Sequence, residues 1–230
     1  MPWPTAAAAD TGSARRICAS GQPHALLEWA VVKATLYRPQ RATYADYLAV
    51  ERDSARRHEL VAGVIVATAG GSDEHNALAS RFAALCVMRL TGLCRHYSPD
   101  QRFWIASTAH GRYSDGSIIC GPPQHPAHDR QATTNPAVVV EVLSPSSEGD
   151  DEGDKRRDFQ SLESLRAYVL VAQDERCVKV YRRDDQGTWP AAPEVYLEGQ
   201  HVELPTLTAA ITVADLYEGV LDAAGRTLLR

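Results

Sequence analysis

Lysine is scarce in this chain. Lys33, Lys155 and Lys179 are the three lysines among 24 basic residues, the rest being arginine, so a lysine at a chosen position is less expected by chance. Long apolar runs are missing as well. No stretch reaches the roughly twenty residues that a membrane-spanning helix requires, and no membrane association is expected. Residues 1–21 place an alanine run ahead of Arg15 and Arg16, the reverse of the order in a secretory signal, which points to a cytoplasmic location. A basic excess is absent too. The net charge of −5 argues against a strong nonspecific nucleic-acid binder, since such proteins carry surplus positive charge. It leaves room for a local strip built from Arg52, Arg56 and Arg57 with Arg81, Arg89 and Arg95, or from Arg156 and Arg157. Solvated surface arginine is the simpler account of these residues. Finally, Cys18, Cys86, Cys94, Cys120 and Cys177 form no CxxC pair and no zinc-like His/Cys spacing. An odd number of cysteines, three of them in apolar surroundings, fits reduced thiols packed as small hydrophobes.

What is present is the composition of a globular protein, 44% apolar and 23% charged over 230 residues, enough for one well-buried domain. Residues 1–42 differ from the rest, being Ala-, Pro- and Gly-rich with one short apolar stretch, Leu26 to Val32, and they read as a poorly ordered or weakly docked extension. A globular domain over 43–220 and a tail over 221–230 follow. Thr43 with Asp46 resembles a capping box. Ser72 caps a helix to about Leu90, and a further helix is expected over Glu148–Leu162. Strands are expected over His58–Ala67 with a break at Gly63, and over Cys94–Ser98, Arg102–Ser107, Tyr113–Cys120, Ala137–Leu143, Ala167–Gln173 and Cys177–Arg183. Gly121–Asn135 reads as a loop, and a short strand pair precedes a last helix near Val213–Tyr217. This alternation argues for an α/β fold, a mixed central sheet flanked by helices.

Two of those strands carry an intruder. One reads Tyr113-Ser-Asp115-Gly-Ser-Ile-Ile-Cys-Gly121, the other Pro136-Ala-Val-Val-Val-Glu141-Val-Leu-Ser-Pro145. A carboxylate inside a Val/Ile-rich strand is expensive to bury unless it has a partner or a task. Val139, Glu141 and Leu143 share one face and Val138, Val140 and Val142 the other. Both faces are apolar, so this is a central strand, with Glu141 near the end where open α/β sheets gather ligands. If the Asp115 and Glu141 strands are neighbours, the carboxylates converge within one ion's reach, and oxygen-only ligands favour Mg²⁺ or Mn²⁺ over zinc. The plainer alternatives are an ordinary Ser-Asp-Gly turn at Asp115 and a buried arginine salt bridge at Glu141.

Lys155 shares a helical stripe with Phe159 and Leu162, at i, i+4 and i+7, so it faces the core and can reach the same pocket. A surface pair with Asp151 is the alternative. Glu59, at the start of an apolar strand, and His75, in the first turn of a helix, are further candidates, although each residue type at such a place is often structural.

His58-Glu59-Leu-Val-Ala-Gly, Glu74-His75-Asn76, the Asp115 and Glu141 segments and Asp151-Glu-Gly-Asp-Lys155 stand in an order that resembles the Uma family of restriction-endonuclease-like proteins, assigned to the PD-(D/E)XK nuclease superfamily. Leu165-Arg-Ala-Tyr-Val-Leu-Val-Ala-Gln-Asp174 extends the likeness, which covers about residues 43–220. The resemblance implies a restriction-endonuclease-like sheet, a Mg²⁺ site and cleavage of nucleic acid, with DNA as the substrate and a homodimer as the form. Carried over, Asp115 and Glu141 are the two signature acids, and Glu59 is an upstream acid that completes the metal shell. Leu143 stands where the usual E-x-K pattern has its lysine, and Lys155 on the following helix takes that part. The chain departs from the family at Ser114, usually proline, and at Phe159, usually tyrosine.

The expected chemistry is metal-dependent phosphodiester hydrolysis. Asp115, Glu141, Glu59 and the Val142 carbonyl would hold Mg²⁺, with Lys155 acting on the water or the phosphate. Two rivals stay open at this point. One is a catalytically silent nucleic-acid-binding or scaffold protein of the same fold; the other is a metal-dependent hydrolase of small phosphate esters, which suits the acidic charge equally well.

Overall fold

The first described helix shows how local sequence sets the elements. In the computed structural model, which describes residues 41–144, 147–222 and 224–229, α1 spans Tyr44–Asp53. Thr43 caps it, and Asp46 returns a bond to the Thr43 amide at 2.8 Å, satisfying two end donors reciprocally. Strands β1 (His58–Val61) and β2 (Val64–Ala67) pair antiparallel across Ala62 and Gly63. Both turn residues have positive φ, as a two-residue hairpin of the right twist demands. Helix α2 (Asp73–Val87) begins at Ser72, whose side chain accepts from the His75 amide.

The remaining elements are β3 (Cys94–Tyr97), β4 (Arg102–Ile105), β5 (His110–Arg112), β6 (Gly116–Cys120), β7 (Ala132–Thr133), β8 (Val138–Leu143), α3 (Glu148–Asp151), α4 (Asp154–Gln160), β9 (Ala167–Ala172), β10 (Cys177–Arg182), β11 (Glu194–Leu197), β12 (His201–Val202), β13 (Ile211–Thr212) and α5 (Val213–Tyr217). A six-stranded sheet runs β11-β10-β9-β8-β6-β3. Within it β8 and β9 are parallel and need a crossover, which α3 and α4 supply. A five-stranded sheet runs β2-β1-β5-β4-β7, and β12 pairs with β13.

β8 is buried along its whole length. Its Val138, Val140 and Val142 join one core cluster with Leu78 and Phe82 of α2 and Leu216 of α5. Val139 and Leu143 join another with Phe103 and Ile105 of β4, Phe159 of α4 and Tyr168 of β9. The strand is therefore central, as its two apolar faces predict.

Three expectations need correcting. The helix expected over Glu148–Leu162 is two short ones. Gly153 breaks it with φ −107° and ψ −111°, and a Cβ there would stand 2.5 Å from the Gly149 carbonyl oxygen. Second, the loop expected over Gly121–Asn135 contains β7, and β5 and β11 are additional strands; strands this short carry too little alternation to stand out. Third, the cysteines are not all free. Cys94 and Cys120, directly opposite in the β3–β6 ladder, form a disulfide, while Cys86 and Cys177 are buried thiols. Pairing across a sheet depends on register, which spacing along the chain does not reveal. The disulfide closes a loop with a sequence separation of 26 residues. Reduction is expected to lower stability by about 3 kcal/mol, read as a fall in the urea midpoint on adding dithiothreitol.

The extension expected over residues 1–42 lies outside the described residues, save for Arg41 and Ala42. Ala42 donates to the Gly63 carbonyl at 2.9 Å.

Candidate active site

Strand register brings the two intruding carboxylates together. β6 and β8 are antiparallel neighbours with Gly116 opposite Val140, so Asp115, the residue just before β6, comes alongside β8 where Glu141 stands. The Asp115 amide donates to the Val140 carbonyl at 3.1 Å. Its Oδ2 accepts from the Val142 amide at 2.8 Å. Val140 and Val142 thus turn their peptide groups toward β6, and the Val142 carbonyl shares that direction at the end where β6 begins.

Lys155, the second residue of α4, enters from above. Its Nζ lies 2.9 Å from Glu141 Oε2, 3.3 Å from Asp151 Oδ1 and 3.9 Å from Glu59 Oε1. The Asp151 pairing weighed as a surface contact is therefore present, but buried, with Asp151 only 3% exposed. Glu59 stands at the site with both oxygens engaged, Oε2 by Arg112 Nη1 and Oε1 by the Tyr113 amide, each at 2.9 Å. His75 Nε2 approaches Asp115 Oδ2 at 3.1 Å.

Acids outnumber cations here, and the titration behaviour follows. Burial pushes the Glu141 carboxyl well up, and the neighbouring Asp151 and Asp115 add to this against the pull of Lys155. Burial likewise raises Asp151. Burial alone would lower Lys155, but Glu141, Glu59, Asp151 and Asp115 together outweigh it and raise the ammonium well above the ordinary lysine value. Asp115 goes the other way. Burial would raise it, yet the His75 bond, Lys155 and the Val142 amide hold it below the usual carboxylate range. The hydrogen bond to Asp115 raises His75 in turn.

These residues also bear on whether a divalent cation fits. Glu141 Oε1 is buried with no hydrogen-bond partner, and both contacts of Asp115 fall on Oδ2. Among the described residues no three His, Cys, Asp or Glu side chains form a ready metal cage. Mg²⁺ does not require one. It is held by one or two carboxylates and keeps several waters, so the oxygen donors of Asp115, Glu141 and the Val142 carbonyl suit it.

Sequence reasoning missed Arg112, which is 1% exposed and sits amid Glu59, Asp150 and Asp158. Its single signal was a charge on a segment too short to read as a strand. Several of the arginines weighed as a local basic strip are occupied locally. Arg57 binds the Pro99 carbonyl, Arg81 the Asp215 carbonyl and Glu218, Arg89 the Leu85 carbonyl, and Arg157 pairs with Asp154.

The family model described as "Uma2: Putative restriction endonuclease" matches residues 44–214. The chain belongs to the Uma2 family. The chain is also similar to two uncharacterised proteins from Synechocystis sp. (strain PCC 6803). One, slr1290, is 31% identical over 179 residues, 76% of this chain and 90% of the relative. The other, sll1609, is 30% identical over 152 residues, 64% and 84% respectively. The crystal structure of a "putative nuclease belonging to DUF820" from Anabaena variabilis superposes with a TM-score of 0.62 at 18% identity, covering 76% of this chain and 97% of the other. At that identity the likeness is one of fold, a restriction-endonuclease-like arrangement of mixed sheet and flanking helices. By family and fold, this Uma2 protein is nuclease-like.

Proposed function

We propose that this Uma2-family protein is an endonuclease that hydrolyses phosphodiester bonds in DNA with Mg²⁺ as cofactor and Mn²⁺ as a substitute. One observation carries the proposal: Asp115, at the entry to β6, bonds the β8 backbone at Val140 and Val142 on either side of Glu141, and Lys155 lies 2.9 Å from Glu141. Asp115, Glu141 and the Val142 carbonyl would hold the ion, and Glu59 would add negative charge beside it. The bound ion would polarise a phosphoryl oxygen and make the attacking water more acidic.

The side chains do the rest. The Val142 amide and His75 fix the Asp115 carboxylate through Oδ2, and Oδ1 would be the oxygen offered to the ion. Lys155 remains charged at neutral pH because the surrounding acids raise it. Its ammonium would offset charge that develops on the phosphate or hold the water in line, an electrostatic role of about 3 kcal/mol. The buried walls of β8 keep these charges in a low-dielectric setting where they act strongly. A homodimer would present two such sites to the two strands of a duplex, and light scattering coupled to size exclusion would detect it.

Incubation of plasmid and short single- and double-stranded DNA with Mg²⁺, Mn²⁺ or EDTA tests the activity. Nicking or linearisation with either metal and none in EDTA is expected. A wild-type protein inert on every DNA substrate with both metals overturns the proposal. The surplus of acids gives a second expected result. Mg²⁺ at ten times its Kd should stabilise the fold by about 1.4 kcal/mol, a rise in Tm of about 3–6 °C for a chain of this size. Differential scanning fluorimetry with and without Mg²⁺ measures this, and Asp115→Asn should erase it.

A further inference from the structure

Arg112 closes β5, and its donors reach three carboxylates on three other elements. Nε binds Asp158 Oδ2 of α4 at 2.8 Å, and Nη1 binds Glu59 Oε2 of β1 at 2.9 Å. Nη1 and Nη2 take the two oxygens of Asp150 of α3 at 2.9 and 3.4 Å. A guanidinium this deeply buried is costly even when paired, and a packed apolar side chain often serves stability as well or better. Filling space is therefore a poor reason for an arginine at this position.

Its partners suggest a better one. Asp150 and Asp158 flank Lys155 along the chain, one on each of two helices separated at Gly153. Those helices have four and seven residues and no side-chain cap at their starts, so they hold little order by themselves. Asp158 is further fixed by Thr108 Oγ1 at 2.9 Å and His110 Nδ1 at 2.8 Å. Arg112 also competes for Glu59, which stands 3.9 Å from Lys155 while Glu141 stands 2.9 Å away.

We propose that Arg112 is a positioning residue: by clamping Asp150 and Asp158 on either side of Lys155, and by holding Glu59, it aims the lysine at Glu141. This rests on the reading of Lys155 and Glu141 as the reactive site, so the test has one readout that needs no activity. Hydrogen exchange read by mass spectrometry on the full chain follows residues 148–160 against residues 138–143 of the central strand. In Arg112→Lys, exchange across 148–160 is expected to rise about tenfold, as local opening grows easier, with 138–143 unchanged. Where that protein cleaves DNA, kcat should fall about 10²-fold with KM nearly constant, the mark of a misaligned group.

Unaltered exchange in Arg112→Lys overturns the inference. An equal rise in both segments also overturns it, since Arg112 then holds the whole fold and not the lysine. Wild-type kcat in Arg112→Lys does the same, because a plain positive charge would then suffice. If Arg112→Lys does not fold, Asp158→Asn, which keeps the arginine and removes one arm, is judged by the same two segments. A wild-type protein that cleaves nothing sinks the nuclease reading and leaves the exchange result to judge the clamp.

Discussion

Glu141→Gln is expected to lose at least about 10³-fold in Mg²⁺-dependent cleavage, the several kcal/mol that a metal-centred charge arrangement supplies. The substitution keeps the side chain's size within a fully packed strand, so the fold has no reason to change. It removes the carboxylate whose Oε1 is buried without a partner and whose charged form burial disfavours. Lys155 keeps Asp151 at 3.3 Å and is not left alone. The variant in EDTA should therefore melt no lower than the wild type, while its response to Mg²⁺ disappears. Loss of function without loss of stability separates this site from a structural salt bridge. A protein that melts lower and still cuts DNA would exclude Glu141 from the chemistry.

Lys155→Met should damage both properties. Removal of one partner from a buried charge pair costs about 3–5 kcal/mol, here because Glu141 and Asp151 lose their shared counter-charge. Cleavage should fall about 10²–10³-fold with the loss of an electrostatic donor at the phosphate. The damage should depend on pH. Glu141 is raised in the folded chain even with the lysine present, and without it the rise is greater. A folded pKa above the unfolded value means that the folded state binds the extra proton. Stability is then greatest below the unfolded carboxylate value and declines as pH climbs through the folded one. Urea midpoints across that window should fall more steeply with pH for Lys155→Met than for the wild type. Parallel slopes would show that Lys155 does not govern Glu141.

The residues that announce the site are those that break a pattern. Asp115 and Glu141 interrupt apolar strands, and a scarce lysine falls on a core-facing stripe with Phe159 and Leu162, both buried. Strand parity alone put Glu141 on the face opposite Val140 and Val142, as found. The helix near Val213–Tyr217 and the hairpin between β9 and β10 were equally plain, since each has clear periodicity or a clear turn. Arg112, Asp150 and Asp158 were not legible, because their meaning lies in contacts between segments 38 to 53 residues apart. The disulfide was hidden for the same reason. Gly153 lies in what read as one helical run, and its non-helical backbone (φ −107°, ψ −111°), at a place where a Cβ would meet the Gly149 carbonyl, divides it into two helices.

The site draws on Glu59 of β1, His75 of α2, Arg112 of β5, Asp115 beside β6, Glu141 of β8, and Asp151 and Lys155 of the crossover. β9, which ends at Ala172, buries the far side of Glu141. In the order of synthesis, the acids leave the ribosome first and the lysine late, followed by the strand that makes their common pocket. On the proposed nuclease reading, a chain whose site groups are so scattered would emerge without activity, and it could cut only once β9, about three-quarters along the sequence, has been made. A truncated product or an interrupted translation carries the carboxylates without the means to hold them together.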